Sequence, residues 1–248
     1  EKMLENLKAV GVGTEHIPIL KGVPTGIAMI TVGDNDNTII VVPGANGKVD
    51  RAYIDSIKSE LEKFDMVVLQ HEIPLETVHY VIEFCYEKGI KIVLNPAPAA
   101  AVPMEIIDKV TYVTPNEHEA VLIFGDELST EDLLRKYPEK LVITQGSRGV
   151  STCLKDGQIL NVPARKAQVV DTTGAGDTLN GAFSVQIAEG KAIEDALAYA
   201  NVAASLSTEK FGAQTGMPTA EEVETALKIL NGESVEKEIP VEMELITK

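Results

Sequence analysis

Val169-Val170-Asp171-Thr172-Thr173-Gly174-Ala175-Gly176-Asp177-Thr178-Leu179-Asn180-Gly181-Ala182-Phe183 is the stretch from which the rest of the chain can be read. Two β-branched residues, Val169 and Val170, read as the end of a strand that leads into a polar, glycine-rich turn, and a helix is predicted to follow to about Glu189. Gly174, Ala175 and Gly176 carry almost no side chain, so several backbone N–H groups stand uncovered where that helix begins. Those donors and the helix dipole make an anion site. Asp177 lies at the same positive end, where it would compete with a bound anion. A carboxylate there makes chemical sense if it takes a proton from a hydroxyl that attacks a held phosphate. The same letters also spell a plainer feature, a helix capped by Asp171 or Asp177 beside a glycine-rich turn. No Gly-Lys-Ser/Thr follows, so the loop is not a Walker A motif.

Outward from this stretch, short apolar runs alternate with helical patterns. Towards the N-terminus, Asp156-Gly157 marks a hairpin, and Leu141–Thr144, Val110–Val113, Ile90–Leu94 and Met66–Leu69 read as short buried strands. Residues 75–88 read as a helix opened by Pro74. Residues 130–136 read as a helix opened by a loose capping box, Ser129 with Asp132. Ile27–Val32 and Thr38–Val42, on either side of the turn cluster Gly33–Asn37, read as a β-hairpin. Met3, Leu4, Leu7 and Val10 have helical spacing that ends at Gly11. Towards the C-terminus, an alanine-rich helix is predicted from about Ile193 to Thr208, and Thr219 with Glu222 caps another. The tail from Glu233 to Lys248 is acidic with alternating apolar residues, and reads as an edge strand or as an extended arm. Strand–helix alternation of this kind predicts an α/β fold, a mainly parallel sheet flanked by helices on both faces. No repeat, low-complexity tract or linker interrupts it, so residues 1–248 read as a single domain.

Composition narrows the function. Of 248 residues, 38 are Asp or Glu and 22 Lys or Arg, a net charge of −16. That surface repels nucleic-acid backbones and anionic lipid, so neither is an expected partner. A small anion can still be held by local N–H groups. Two cysteines, Cys85 and Cys153, cannot build a disulfide framework or a four-thiolate metal site, and point to a reducing compartment, the cytoplasm. No apolar run is long enough to span a bilayer as a helix. The four histidines show no metal-ligand spacing. A Gly-x-Gly-x-x-Gly after a strand is also missing, which sets aside a dinucleotide-dependent oxidoreductase.

Asp171–Ala182 resembles the C-terminal signature of the ribokinase-like (PfkB-type) carbohydrate kinases. Six further segments agree with it in the same order. They are Pro43-Gly44-Ala45-Asn46, Leu69-Gln70-His71-Glu72-Ile73-Pro74, Leu94-Asn95-Pro96-Ala97-Pro98, Thr114-Pro115-Asn116-Glu117-His118-Glu119, Thr144-Gln145-Gly146-Ser147-Arg148-Gly149 and Gly212-Ala213-Gln214. The resemblance runs from about residue 1 to residue 230. It implies a ribokinase-like fold with a small β lid at residues 24–44, which covers the sugar and pairs with the lid of a second subunit. An apolar two-stranded ribbon is unstable alone, a separate reason to expect a homodimer.

The resemblance also implies roles. Asp177 is the expected catalytic base, and Gly174, Ala175 and Gly176 the anion hole for the transferring phosphoryl group. Asn116, Thr144, Gln145, Gly146, Ser147, Arg148, Gly149 and Asn201 are expected on the ATP side, with Gly176 reaching the same phosphates, and Glu72 on the sugar. Glu119 is expected to act on Mg²⁺ largely through water. Asp171 and Thr173, with backbone oxygens near Ser207, Lys210 and Gly212, are expected around a monovalent cation, normally K⁺. The family's usual serine ligand there is Gly216 in this chain. The family's N-terminal βα region, with its Asn/Asp sugar motif and Gly-Gly-Lys-Gly-like loop, has no counterpart here, so the chain is expected to be incomplete at its front. The activity implied is ATP-dependent phosphorylation of a sugar hydroxyl. D-ribose, giving D-ribose 5-phosphate, is favoured by Pro43–Asn46 and Asn95–Pro98. The alternatives are a fructokinase or nucleoside kinase of the same family, or a non-catalytic nucleotide-binding fragment.

Overall fold

The computed structural model describes residues 2–33 and 36–235. The elements in chain order are α1 (Lys2–Ala9), β1 (Ile27–Gly33), β2 (Asp36–Val42), α2 (Arg51–Leu61), β3 (Met66–Gln70), α3 (Leu75–Lys88), β4 (Lys91–Asn95), α4 (Met104–Lys109) and β5 (Tyr112–Val113). They continue with α5 (Glu117–Phe124), α6 (Thr130–Lys136), β6 (Val142–Thr144), β7 (Val150–Cys153), β8 (Ile159–Val162), α7 (Ala175–Ala188), α8 (Ile193–Ser207) and α9 (Ala220–Leu230). The chain divides into two compact units, Glu1–Gln145 with Ser151–Leu160, and Gly146–Val150 with Asn161–Lys248.

In the first unit β3, β4 and β5 pair in that order and in parallel, with Val67 opposite Ile92 and Val93 opposite Tyr112. Parallel strands joined through helices need covered faces, and β4 obeys: Ile92, Val93 and Leu94 are fully buried. A bridge from Val113 to Leu141 carries the order on towards β6, which pairs with β7, and β7 in turn pairs with β8. The inner side of α3, Val78, Val81, Ile82 and Cys85, closes the core with Ile107, Leu134 and Ile143. Each such side chain contributes roughly 1.5–3 kcal/mol by leaving water. Gly89, at φ +70°, ends α3 in the left-handed region that only glycine enters without cost.

The hairpin of β1 and β2 is antiparallel, with Ile27 opposite Val42 and Met29 opposite Ile40. That register puts these four on one face, and all four are exposed. At its base a Cβ on Gly44 would lie 2.5 Å from the Pro24 carbonyl oxygen, and φ is +53°, so the two strand ends close only around a glycine.

The second unit is built on α7, α8 and α9. Ala196, Ala200 and Ala203 of α8 are buried, and Phe183 of α7 is fully buried. Small residues let helix backbones approach closely. Thr219 accepts from the Glu222 N–H, and the Glu222 side chain accepts in return from the Thr219 N–H, a complete capping box.

The other strands and helices expected from periodicity are present, α6 at the same residues, but the strand expected to end at Val169-Val170 is not formed: both side chains are exposed and their segment is tied instead to the Thr208 carbonyl. The strand expected at Val110–Val113 shortens to Tyr112–Val113, because Val110 is spent ending α4, its N–H on the Ile107 carbonyl. Helices α2, α4 and α5 had not been expected. Asp50 opens α2 by accepting from the Tyr53 N–H at 2.9 Å. From residue 236 on, the tail lies outside the described residues, as do Asp34 and Asn35 of the expected turn cluster.

Candidate active site

In the second unit the loop before α7 is held by Asp171. One carboxylate oxygen accepts from the Thr173 N–H at 2.9 Å and from the Thr173 hydroxyl at 2.7 Å. The other accepts from the Gly212 N–H at 2.9 Å. The Thr173 hydroxyl, then the two N–H groups, hold the Asp171 carboxyl below the usual carboxylate range. The N–H groups of Val170 and Asp171 both reach the Thr208 carbonyl. The loop is therefore tied to the segment after α8 through backbone and side chain.

Gly174 then caps α7 with φ +79°, and a Cβ there would meet Ala213 at 3.0–3.3 Å. Both the dihedral and the close approach require glycine. With no cap side chain, the first-turn amides are not consumed by a cap. The Ala175 N–H alone of the loop's small residues makes a turn bond, to the Thr172 carbonyl at 3.2 Å. Nothing lies within 4 Å of where a Cβ on Gly176 would be, so a ligand can approach that backbone. Asp177 follows, exposed, on the first turn. Thr178 and Asn180 turn inward and hydrogen-bond the Gly174 and Gly176 carbonyls at 2.9 Å, which stiffens the turn from within.

Ser207, Lys210, Gly212 and Gly216 come together beside this loop. A Cβ on Gly216 would lie 2.7 Å from the Ser207 carbonyl oxygen, 2.8 Å from that of Gly212 and 3.5 Å from that of Lys210. Three carbonyls thus crowd one small space that a side chain would fill. The Lys210 ammonium is turned away to Glu222 at 3.0 Å. Neutral backbone oxygens near one carboxylate suit a hard cation of low charge, so these residues fit the monovalent ion the resemblance implies.

The turn Gly146–Arg148 leads to Gly149, where φ is +98° and a Cβ would lie 2.0 Å from the Val162 carbonyl oxygen. Ser147 and Arg148 are exposed on that turn. From another direction the buried Asn201 donates its amide to the carbonyls of Pro163 at 2.7 Å and Val162 at 3.3 Å. Gly149 and Asn201, both expected at the nucleotide, therefore meet at residues 162–164. Asn201 commits its donor to this backbone and is buried. Two residues on, Arg165 pairs with Glu209 at 2.7 Å and lines a groove of about 530 Å³ with Lys166, Gln168 and Val170. No sequence signal marks that pair, whose members stand 44 positions apart.

In the first unit, Asn116 and Glu119 form a capping box at the start of α5. The Asn116 side chain accepts from the Glu119 N–H, and Glu119 accepts from the Asn116 N–H, both at 2.8 Å. Glu119 is buried, and burial lifts its carboxyl above the usual range against the opposing Asn116 N–H and His118. One Glu119 oxygen is thus committed to the cap. Asn-x-x-Glu is itself a capping-box pattern, a reading the sequence offered and that was missed. Asn116 bridges in parallel to Thr144 at the ends of adjacent strands, and Gln145 accepts from the Ser151 hydroxyl at 2.7 Å. Glu72 is exposed just past β3. Its neighbour His71 is buried against Pro98, an association that no periodicity signals.

A phosphoryl-transfer enzyme is the class this arrangement defines: an uncapped helix start beside an exposed acid, over a carbonyl ring suited to a cation. Residues 1–220 match the pfkB family carbohydrate kinases. Ribokinase of Bacillus subtilis (strain 168) is 49% identical over 225 residues, 91% of this chain and 76% of that protein. Ribokinase of Lactococcus lactis subsp. lactis is 46% identical over 231 residues, 93% of this chain and 76% of its own. Among solved structures, Arabidopsis thaliana ribokinase complexed with ribose and ATP superposes with a TM-score of 0.80 at 29% identity, covering 90% of this chain and 77% of that one. The chain belongs to the pfkB family of carbohydrate kinases, with a ribokinase-like fold, and is an ATP-dependent carbohydrate kinase.

Proposed function

We propose that this kinase transfers the γ-phosphoryl group of ATP to the 5-hydroxyl of D-ribose, with Asp177 as general base. The single observation that carries this reading is the exposed Asp177 one residue past the open Gly176 backbone, on a helix whose cap is a glycine. Asp177 takes the hydroxyl proton as the sugar oxygen attacks the γ-phosphorus, and ADP departs with the electrons of the broken P–O bond. The amides of Gly174 and Gly176 face the charge that grows on the phosphoryl oxygens, while that of Ala175, held by the Thr172 carbonyl, shapes the turn. Thr144–Gly149, Asn116 and Asn201 line the ATP side, Asn201 by shaping residues 162–164. Glu72 holds the sugar.

Mg²⁺, when bound to ATP, neutralises phosphate charge, and Glu119 would steady its water shell through the carboxylate oxygen that the cap leaves free. K⁺ would lie among the carbonyls of Ser207, Lys210 and Gly212 near Asp171 and Thr173, with the space beside Gly216 supplying a carbonyl or a water where the family has a hydroxyl. The hairpin 24–44 serves as the lid within one ribokinase-like domain. Its apolar face, Ile27, Met29, Ile40 and Val42, pairs two copies into a homodimer. Buried free thiols at Cys85 and Cys153 agree with the cytoplasm, and no described helix is long and apolar enough to cross a membrane.

ADP release, measured in a coupled assay with D-ribose, D-fructose and adenosine in turn, tests the reading. Turnover is expected with D-ribose and only with both ATP and Mg²⁺ present. Preference for adenosine or fructose would reassign the substrate. ATP binding without turnover on any acceptor would make the chain a nucleotide-binding module.

A further inference from the structure

His71 directly follows β3, at the carboxyl end of the parallel sheet, and it is only 8% exposed. Its backbone N–H donates to the Ala97 carbonyl at 2.8 Å. Its Nδ1 lies 3.2 Å from the Pro98 carbonyl oxygen. A carbonyl can only accept, so Nδ1 must carry the proton. Nε2 is then a bare lone pair, and it is buried with no hydrogen-bond partner among the described residues. The side chain and backbone of one residue thus grip two successive carbonyls of the Asn95–Pro98 loop, and the next residue is Glu72.

We propose that His71 is a positioning residue: as the neutral Nδ1–H tautomer it clamps the Asn95–Pro98 loop to the end of β3 and so sets Glu72 for the sugar. The inference rests on the reading of Glu72 as a sugar contact. It also makes sugar affinity sensitive to acid. Protonation at Nε2 creates a charged donor with nothing to receive it, while the Pro98 bond stays as it was. Burial first, and then the nearby His79 of α3, press the ring towards its neutral form, against the opposing pull of the Pro98 carbonyl. His79 is the titratable neighbour that acts on the ring, and the loop side presents backbone carbonyls. As pH falls far enough to charge the ring, the imidazolium must leave its site for water. The clamp opens, and Glu72 loses its support.

The test combines kinetics with nitrogen NMR of the imidazole in the full chain. His71→Leu should raise KM for D-ribose by roughly tenfold or more while KM for ATP stays within about twofold. His71→Asn, whose amide can still donate to Pro98, should recover most of that loss. The parent's KM for ribose should rise as pH falls below 6.5, and the rise should vanish in His71→Asn. NMR should find the Nδ1–H tautomer with a titration below the ordinary histidine range. An Nε2–H tautomer, equal effects of His71→Leu on both substrates, or an acid rise that persists in His71→Asn would overturn the proposal. A parent with no sugar turnover would instead overturn the functional reading, and the two failures are told apart because the tautomer is read without turnover.

Discussion

Two helix starts each carry residues expected to do chemistry, and they are built in opposite ways. At α5, Asn116 and Glu119 close on each other, so the first-turn amides are answered by the protein's own side chains. At α7, Gly174 supplies no side chain, and nothing stands over Gly176. A helix end that satisfies itself is a stability device worth about 1 kcal/mol. One that leaves its donors open does not gain that stabilisation, and keeps a place for an anion. The difference separates two roles that look alike in sequence, where each site is a polar run before a helix with an acid in the first turn.

The largest test of the contrast is Asp177→Asn. It should lower kcat by about 10²–10⁴ with little change in ATP affinity or melting temperature, measured by coupled ADP release and calorimetry. Unchanged turnover would remove Asp177 as the base. Gly174→Ala comes next. Forcing a Cβ into a φ of +79° and against Ala213 should cost about 1–2 kcal/mol of stability and lower kcat by roughly a hundredfold, as the amides shift. At α5 the same class of change should read out differently. Asn116→Ala removes the cap, with an expected loss of about 1 kcal/mol in denaturant melts. A rise in KM for ATP beside that loss of stability would measure the ATP-side role proposed for Asn116, and a loss of kcat as large as that of Gly174→Ala would erase the contrast.

The smallest effects are in pH, and their signs are opposed. Glu119 has its carboxyl raised above the 4.5 of a free glutamate, so its contribution to stability is full below that value and is lost as pH climbs through the raised one. Glu119→Gln keeps an acceptor for the Asn116 N–H and removes the buried charge. Stability should then hold at neutral pH and lose that slope, while the Mg²⁺ needed for half-maximal activity should rise if the proposed role is right. Asp171 has its carboxyl lowered below 3.8, so its contribution is full above 3.8 and lost as pH falls through the lowered value. Asp171→Asn turns an amide towards the Gly212 N–H or the Thr173 donors. Its melting temperature should drop, and added K⁺ should stabilise it less than it stabilises the parent.

Much of this was legible beforehand because it is local. A hairpin announces itself by alternation and a turn, and α6 by Ser129 at its start, which accepts from the Asp132 N–H. The Gly174–Asp177 motif is contiguous. Helix α5 is legible too, from Asn116 with Glu119, a pattern that fits both a cap and the ligand contacts the resemblance implies. Helix α2 does carry helical spacing, in Tyr53, Ile54, Ile57 and Leu61, although only Ile54 is buried outright, and α4 is too short for periodicity to register.

The order of residues alone determined the α/β alternation, the glycine-capped helix start and the acid that follows it, since each depends on neighbours within a turn or two of chain. Only the tertiary structure decided that Asp171 holds Gly212, that Asn201 and Gly149 meet at residues 162–164, that three carbonyls close around Gly216, and that His71 grips Pro98. Apart from the Gly216 turn, where the carbonyls come from residues just upstream, those are meetings of segments well separated in the chain. Hydrogen bonds and close packing at such points are set by where strands and helices bring backbone carbonyls, and a carbonyl is the one group that every residue carries and no sequence letter distinguishes.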